Sequence, residues 1–350
     1  MSADADDRPL LRRLFERRSL EELAPIPKAL TYAALLGWTL VVLFPLYWVL
    51  VTSLKVQIQV DAGPYYLPFV DFQPTLDAWN FMLFQNNTLW PYVNSIIVAL
   101  ASTILALIIG SLAAYALVRI RFQVKLAAII AFIVLAAGAI VAVAAFAVPW
   151  PAAVAAALVL FFMILGTIGR RFKAALGNND IEFWMISNRI MPPIVAVLPI
   201  YVMFQNLKLL DTQIALISTY TAVNLPIVVW LTRDFFAGIP LDLEESAEID
   251  GASKLRVFFT IALPLVRSGL AATFMLVLIL AWNEYLLALF LSNANAQTMP
   301  VLVSAQNTTR GPQWWYMSVL IVIMIVPVIV IAAFLQKHIA RGLMVGAVKG

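Results

Sequence analysis

Five carboxylates, Asp242, Glu244, Glu245, Glu248 and Asp250, crowd into one polar stretch between two strongly apolar ones, with no basic residue among them. A second acid, Glu284, follows Trp282 and Asn283 inside an otherwise apolar run. An ionisable group at that depth is costly and usually faces a bundle interior or a watery cavity. Amides bond hydroxyls and an indole face stacks on pyranose C–H groups, so Trp282, Asn283 and Glu284 suit a sugar as well as they suit a structural hydrogen bond. Catalytic patterns are missing. There is no G-x-x-x-x-G-K-[ST], no G-x-G-x-x-G after a strand and no H-E-x-x-H. The single histidine, His338, sits in a basic tail, and there is no cysteine, so no metal site and no thiol chemistry is expected. A membrane enzyme would need a clustered His, Asp and Glu constellation that one histidine cannot supply. An ion-coupled transporter would need an internal repeat and several acids within the membrane, where Glu284 is nearly alone.

The acidic stretch, Pro240 to Pro264, reads as a helix, a glycine and a second helix outside the bilayer. Pro240 suits the first helical position, and Asp242, Glu244 and Glu245 fall where the macrodipole favours anions. Leu243, Ala247 and Gly251 lie four apart, which makes one side slim and mostly apolar. Gly251 can end the helix as a left-handed cap or leave room for a close neighbour. A second run, Ser253 to Thr260, carries Leu255 with Phe258 or Phe259 on a shared face before Pro264 stops it. Such an element is apolar enough to dock and acidic enough to select a partner.

The elements around it are membrane spans. With 63% hydrophobic and 12% charged residues, the chain is not a soluble globular one. Apolar runs long enough to cross a bilayer fall at about 31–53, 92–118, 126–147, 150–168, 188–207, 213–233, 265–290 and 316–336. The expected fold is therefore an all-α polytopic membrane protein of about eight transmembrane helices. An amphipathic surface helix over 8–22 or a disordered tail is expected before the first span, and no cleavable signal is expected. Residues 56–91, rich in proline and aromatics, read as a folded external loop with Trp79, Trp90 and Tyr92 as interface anchors. With the amino terminus in the cytoplasm, all of the 23 Lys and Arg except Lys55, Lys208 and Arg310 fall inside. Both termini and the acidic stretch then face the cytoplasm.

Specific residues carry a family resemblance. Glu245-Ser246-Ala247, Asp250-Gly251-Ala252 and Leu263-Pro264 resemble the EAA loop of binding-protein-dependent ABC importer permeases, E-A-A-x-x-D-G-A with a later leucine-proline, Ser246 replacing an alanine. Phe44-Pro45-Leu46-Tyr47-Trp48, Asn94-Ser95, Arg189-Ile190-Met191-Pro192-Pro193, Leu209-Leu210-Asp211-Thr212, Trp282-Asn283-Glu284 and the tail Gly346-Ala347-Val348-Lys349-Gly350 resemble the maltose-type carbohydrate permeases within that class. The likeness covers roughly 31–122 and 183–350.

The resemblance implies a type I importer core of six helices with a cytoplasmic coupling helix. The alanine-rich hairpin at 123–173 is then an insertion, either a lipid-facing appendage or a contact for a further partner. It divides the chain into a cytoplasmic segment 1–30, first core helices 31–122, the hairpin, a core 183–336 holding the loop 240–264, and a tail 337–350. It also implies that Glu244, Glu245, Ser246, Ala247, Asp250, Gly251, Ala252 and Pro264 couple to an ATPase. The tail residues Gly346, Ala347, Val348, Lys349 and Gly350 would reach toward the same subunits. Implied partners are a second permease, two ATPase subunits that bind ATP and Mg, and an external solute-binding protein met by 56–91 and 292–315. No cofactor in this chain, no enzymatic activity of its own and no nucleic-acid partner is expected. Asn224 before Pro226, and Arg189 before Pro192, mark places where helices could break toward a cavity, with Arg189 as a gating or loop-anchoring residue.

Overall fold

The computed structural model describes residues 24–146, 148–167, 175–187, 192–309 and 311–347. The chain is an all-α polytopic membrane protein. Its main helices are α1 (Pro25–Thr52), α2 (Leu89–Arg119), α3 (Leu126–Phe146), α4 (Trp150–Gly166), α5 (Asn178–Ser187), α6 (Pro193–Asn206) and α7 (Gln213–Ala237), followed by α8 (Leu241–Ile249), α9 (Lys254–Val257), α10 (Arg267–Trp282), α11 (Leu286–Leu291), α12 (Met299–Ala305) and α13 (Trp314–Ala347). Among the described residues, α1, α2, α3, α7 and α13 are long and apolar enough to cross a membrane. The segment Lys254–Leu265 and α10 make a sixth candidate, bent by 79° between them. Helices α4 and α6 are apolar but shorter.

The expected unbroken span over 265–290 is interrupted. Helix α10 ends at Trp282 and α11 begins at Leu286 behind Tyr285, and the Glu284 carboxylate, one residue earlier, accepts the Leu287 N–H (3.0 Å) in the first turn of the new helix. The converse holds at Pro226, where a break was expected: this proline lies inside the continuous α7. Pro264 does not stop the second run of the acidic stretch either. A π-turn, Phe258–Ala262, carries the chain to Leu263–Leu265, and the bend falls at Val266.

Two compact units make up the chain. The first joins the residues up to Leu89 with Leu302–Val326. Its segment after α1 is folded around Lys55, which is 2% exposed. The ammonium donates to the Tyr65 carbonyl (2.6 Å) and lies 4.4 Å from the Trp48 ring centre. Burial pulls Lys55 below its ordinary value, and the nearby Asp71 charge opposes that. Trp79, read as an interface anchor, donates its indole N–H to Ser53 Oγ (3.2 Å).

The second unit comprises Trp90–Val301 with Pro327 onward. Its core is where α2, α7 and α10 meet, with Ala106, Val228 and Val277 buried together. Gly110 makes that approach possible: a Cβ there would lie 2.5 Å from Val228 Cγ1. A second cluster, nearer the acidic stretch, gathers Tyr115, Phe236, Ile239, Phe258 and Ala262. The hairpin α3–α4 packs on itself, with Phe132 and Phe161 edge to face at 6.2 Å. A two-residue antiparallel pairing, Val124 with Leu176 and Lys125 with Ala175, ties its base. The amphipathic helix expected over 8–22 lies outside the described residues.

Candidate functional site

The acidic stretch folds as the spacing predicts, with one carboxylate turned the other way. Pro240 stands as the cap rather than the first helical residue, and Asp242 and Glu244 occupy the first turn of α8. The helix closes in a Schellman motif: Gly251 N–H donates to the Glu248 carbonyl (3.0 Å) and Ala252 N–H to the Ala247 carbonyl (2.9 Å). That geometry requires the left-handed region, and Gly251 sits at φ +86°. Ser253 then caps α9, its hydroxyl accepting from Arg256 N–H (3.3 Å).

Glu245, Ser246, Asp250, Gly251 and Pro264 are exposed, while Ala247 and Ala252 are half-buried. Leu243, Ile249, Leu255 and Phe259 add exposed apolar surface to the same segment, whereas Phe258 is buried. Glu248 pairs with Lys254 at 3.2 Å. Glu244, grouped by sequence with the surface acids, is buried at 4% exposure. It accepts from Arg119 Nη2 (2.7 Å), Arg119 Nε (2.9 Å) and the Tyr115 hydroxyl (2.7 Å). Its basic partner lies at the end of α2, far away in sequence. Arg119 had counted only as one of the cytoplasmic positive charges.

Helix α5, which the hydropathy of the chain does not single out, braces this region. Asn178 donates to the Ile120 carbonyl (2.7 Å) and accepts from Phe122 N–H (2.8 Å), holding the chain just beyond α2. Glu182 forms an ion pair with Arg233 of α7. Burial pushes the Glu182 carboxyl up, and Arg233 opposes the shift.

A cavity of about 450 Å³ opens among α6, α7, α10 and α11, lined by Glu284, Asn224, Ala196, Ile200 and Leu280 among others. Glu284 and Asn224 are thus brought together on one surface. Trp282 is not among the lining residues; it is buried and meets Tyr92 edge to face at 6.3 Å. Asn283 is exposed and its amide is held by the Ile279 carbonyl (2.8 Å). Arg189 lies outside the described residues, as do Val348, Lys349 and Gly350, while Gly346 and Ala347 complete α13.

The sequence signalled no role for Asp211 beyond its place in a motif. Its carboxylate accepts from the backbone N–H of Asn293 (2.7 Å), Asn295 (3.0 Å) and Ala296 (2.9 Å) and from the Asn295 amide (2.9 Å). Asn94 and Trp90 complete the clamp, both donating to the Asn295 carbonyl at 2.8 Å. Burial by itself would raise the Asp211 carboxyl, but the donors from Ala296, Asn295 and Asn293 outweigh it and hold the group below its ordinary value. A depressed folded value means the stabilisation is complete above the unfolded aspartate value of about 3.9 and is lost as pH falls through the lower folded value. Asp211→Asn tolerates the left-handed backbone at φ +59° but aims an amide donor at the Asn295 N–H. We expect a cost of about 2 kcal/mol, read as a lower Tm and faster amide exchange over 293–296. The wild-type loop should loosen below about pH 4 while the variant shows no such dependence. Equal exchange in both proteins at neutral pH would refute the clamp.

Known proteins share this arrangement of chain. Residues 179–345 match the family described as binding-protein-dependent transport system inner membrane component. The sulfoquinovosyl glycerol transport system permease protein SmoH of Agrobacterium fabrum is 30% identical over 311 residues, covering 88% of this chain and 89% of that one. The inner membrane ABC transporter permease protein YcjP of Escherichia coli is 29% identical, covering 91% of this chain and 95% of its own. The trehalose/maltose transport system permease protein MalG of Thermococcus litoralis is 29% identical, covering 89% and 93%. In fold, the chain is similar to a chain of a bacterial ABC transporter involved in the import of the acidic polysaccharide alginate, with a TM-score of 0.57, 22% identity and coverage of 89% and 96%. The chain belongs to the inner-membrane components of binding-protein-dependent transport systems, and is a permease subunit of an ABC importer.

Proposed function

We propose that this permease carries a carbohydrate or polyol across the inner membrane, driven by ATP hydrolysis on separate subunits that dock at α8 and the turn behind it. The observation that carries the reading is the exposed Glu245–Gly251 surface on a helix closed by a left-handed glycine. It presents acids and apolar groups together, with no described residue within 4 Å of a Cβ placed at Gly251. Relatives named for sulfoquinovosyl glycerol, diacetylchitobiose and trehalose or maltose support the substrate class. ATP and Mg would be held by the partner ATPase pair. A second permease, with which this chain forms a heterodimer, and an external solute-binding protein complete the assembly. Both termini would face the cytoplasm, in keeping with the distribution of Lys and Arg.

Within the cycle, binding-protein docking and ATPase closure each favour the outward-facing state through a difference in affinity between states. Glu244, Glu245, Ser246, Ala247, Asp250, Gly251, Ala252 and Pro264 would form or support the docking element, and the tail residues Gly346 to Gly350 would contact the same subunits. Glu284 and Asn224, which share a cavity, would line the path, Trp282 and Asn283 would support it from the end of α10, and Arg189 would act as a gating or loop-anchoring residue. The test is uptake into proteoliposomes by the assembled complex. We expect import of labelled sugar only with ATP and the ATPase pair present. Import driven by an ion gradient without them would overturn the reading in favour of a secondary transporter.

A further inference from the structure

Helix α8 is joined covalently to α7 through Gly238–Pro240 and to α10 through the bent segment that follows it. No covalent path of comparable length leads from α8 to α2. Yet α2 ends against α8 at a buried ionic node. Arg119, the last residue of α2, gives Nε and Nη2 to Glu244 Oε1, and Nη2 also reaches the Phe236 carbonyl (3.2 Å) and the Ile239 carbonyl (3.0 Å) at the end of α7. Four residues earlier, Tyr115 gives its hydroxyl to Glu244 Oε2. One carboxylate therefore binds two residues on one face of α2, and the same guanidinium holds the carboxyl end of α7.

The surroundings make the node stiff. The Arg119 and Glu244 side chains are 11% and 6% exposed. The Tyr115 ring packs on Phe236 at 5.6 Å and Phe258 at 5.2 Å. In such a setting, screening by solvent and salt is weak. Removing one partner leaves an uncompensated buried charge, which costs more than the pair itself is worth. The two-point grip from Nε and Nη2, with further bonds to carbonyls, fixes direction as well as distance.

We infer that Glu244 is a positioning residue that fastens the coupling helix to α2, so that a displacement of α8 carries the inner ends of α2 and α7 with it as one body. This rests on the reading of α8 as the element loaded by the ATPase. Glu244 would then transmit force inward while Glu245 and the glycine turn receive it outside. The cavity is lined in part from α7, so the node joins the docking surface to a wall of the cavity through packed groups as well as through the short connection at 238–240.

The test uses the assembled complex, with its second permease, ATPase pair and binding protein, in proteoliposomes. Substrate imported per ATP hydrolysed is measured for wild type, Glu244→Gln, Arg119→Gln and the double variant. Spin labels at Asp242→Cys and Arg121→Cys report the α8–α2 distance with and without nucleotide. We expect each single variant to lower the coupling ratio about tenfold, and the double variant to be no worse than either single one. The label distance should stay fixed through the cycle in wild type and broaden in Glu244→Gln. An unchanged ratio in Glu244→Gln, additive losses in the double variant, or loss of the ATPase pair from the purified variant would each overturn the inference, the last by moving the carboxylate to the docking surface. Should a charge variant fail to insert, Tyr115→Phe decides, since it keeps the ion pair and the ring. A severalfold drop in its ratio sustains the link, and an unchanged ratio removes it. Wild-type import without ATP would sink the docking reading, and the label distance would still judge the link.

Discussion

Gly251→Trp is expected to abolish ATP-driven uptake while leaving insertion and helix content intact. Among the described residues nothing lies within 4 Å of a Cβ placed at Gly251, so a side chain there starts out into open space. What the substitution does cost locally is the left-handed backbone at φ +86°, about 1–2 kcal/mol for any residue with a Cβ. Gly251→Ala carries that same strain without the bulk and serves as the control. We expect the alanine variant to keep most of its uptake and the tryptophan variant to fall to background, with the ATPase pair lost on affinity purification. Uptake by Gly251→Trp near the wild-type level would mean that this turn touches no partner.

The second large effect is expected at Glu284, where structure and transport can be separated. Its carboxylate accepts the Leu287 N–H and so caps α11, while the rest of the group faces the cavity it shares with Asn224. Loss of a cap costs about 1 kcal/mol, too little to dismantle the assembly. Loss of a buried polar contact to a hydroxylated solute is worth about 1–3 kcal/mol, or roughly ten- to a hundredfold in transport. Glu284→Gln retains an acceptor for Leu287 and removes only the charge. We expect Glu284→Ala to assemble normally and transport at least tenfold more slowly, with Glu284→Gln between it and wild type. If the alanine variant fails to assemble, the carboxylate is structural and the path lies elsewhere.

The two sites differ in how far they could be read from the chain itself. The turn at Gly251 was legible because its causes are local: a carboxylate-rich helix, a residue that tolerates positive φ, and a serine placed to cap the next helix. The direction of Glu244 was not, because its partners Tyr115 and Arg119 belong to another helix and no local pattern links them. The hydropathy of 265–290 suggested one span because the residues flanking Glu284 are apolar; a break three residues long, with one carboxylate bonded to the next turn, is erased by window averages. Pro226 and Pro264 misled in the opposite sense. A proline marks a lost hydrogen bond, and packing decides whether the helix continues. Trp282 has the chemistry of a sugar platform, but its ring is spent on Tyr92, a contact that depends on how two helices pack. Asp211 gathers donors from a loop more than eighty residues away, beyond the reach of any spacing argument.

The close seam at Gly110 limits the kind of motion open to this subunit. Where α2 and α7 leave no space for one added carbon, the two cannot slide or ratchet past each other without a collision at Val228. They travel as a keyed pair. A rearrangement that keeps the seam therefore moves α2 and α7 together, whatever happens at the interruption between Trp282 and Leu286, which lies outside it.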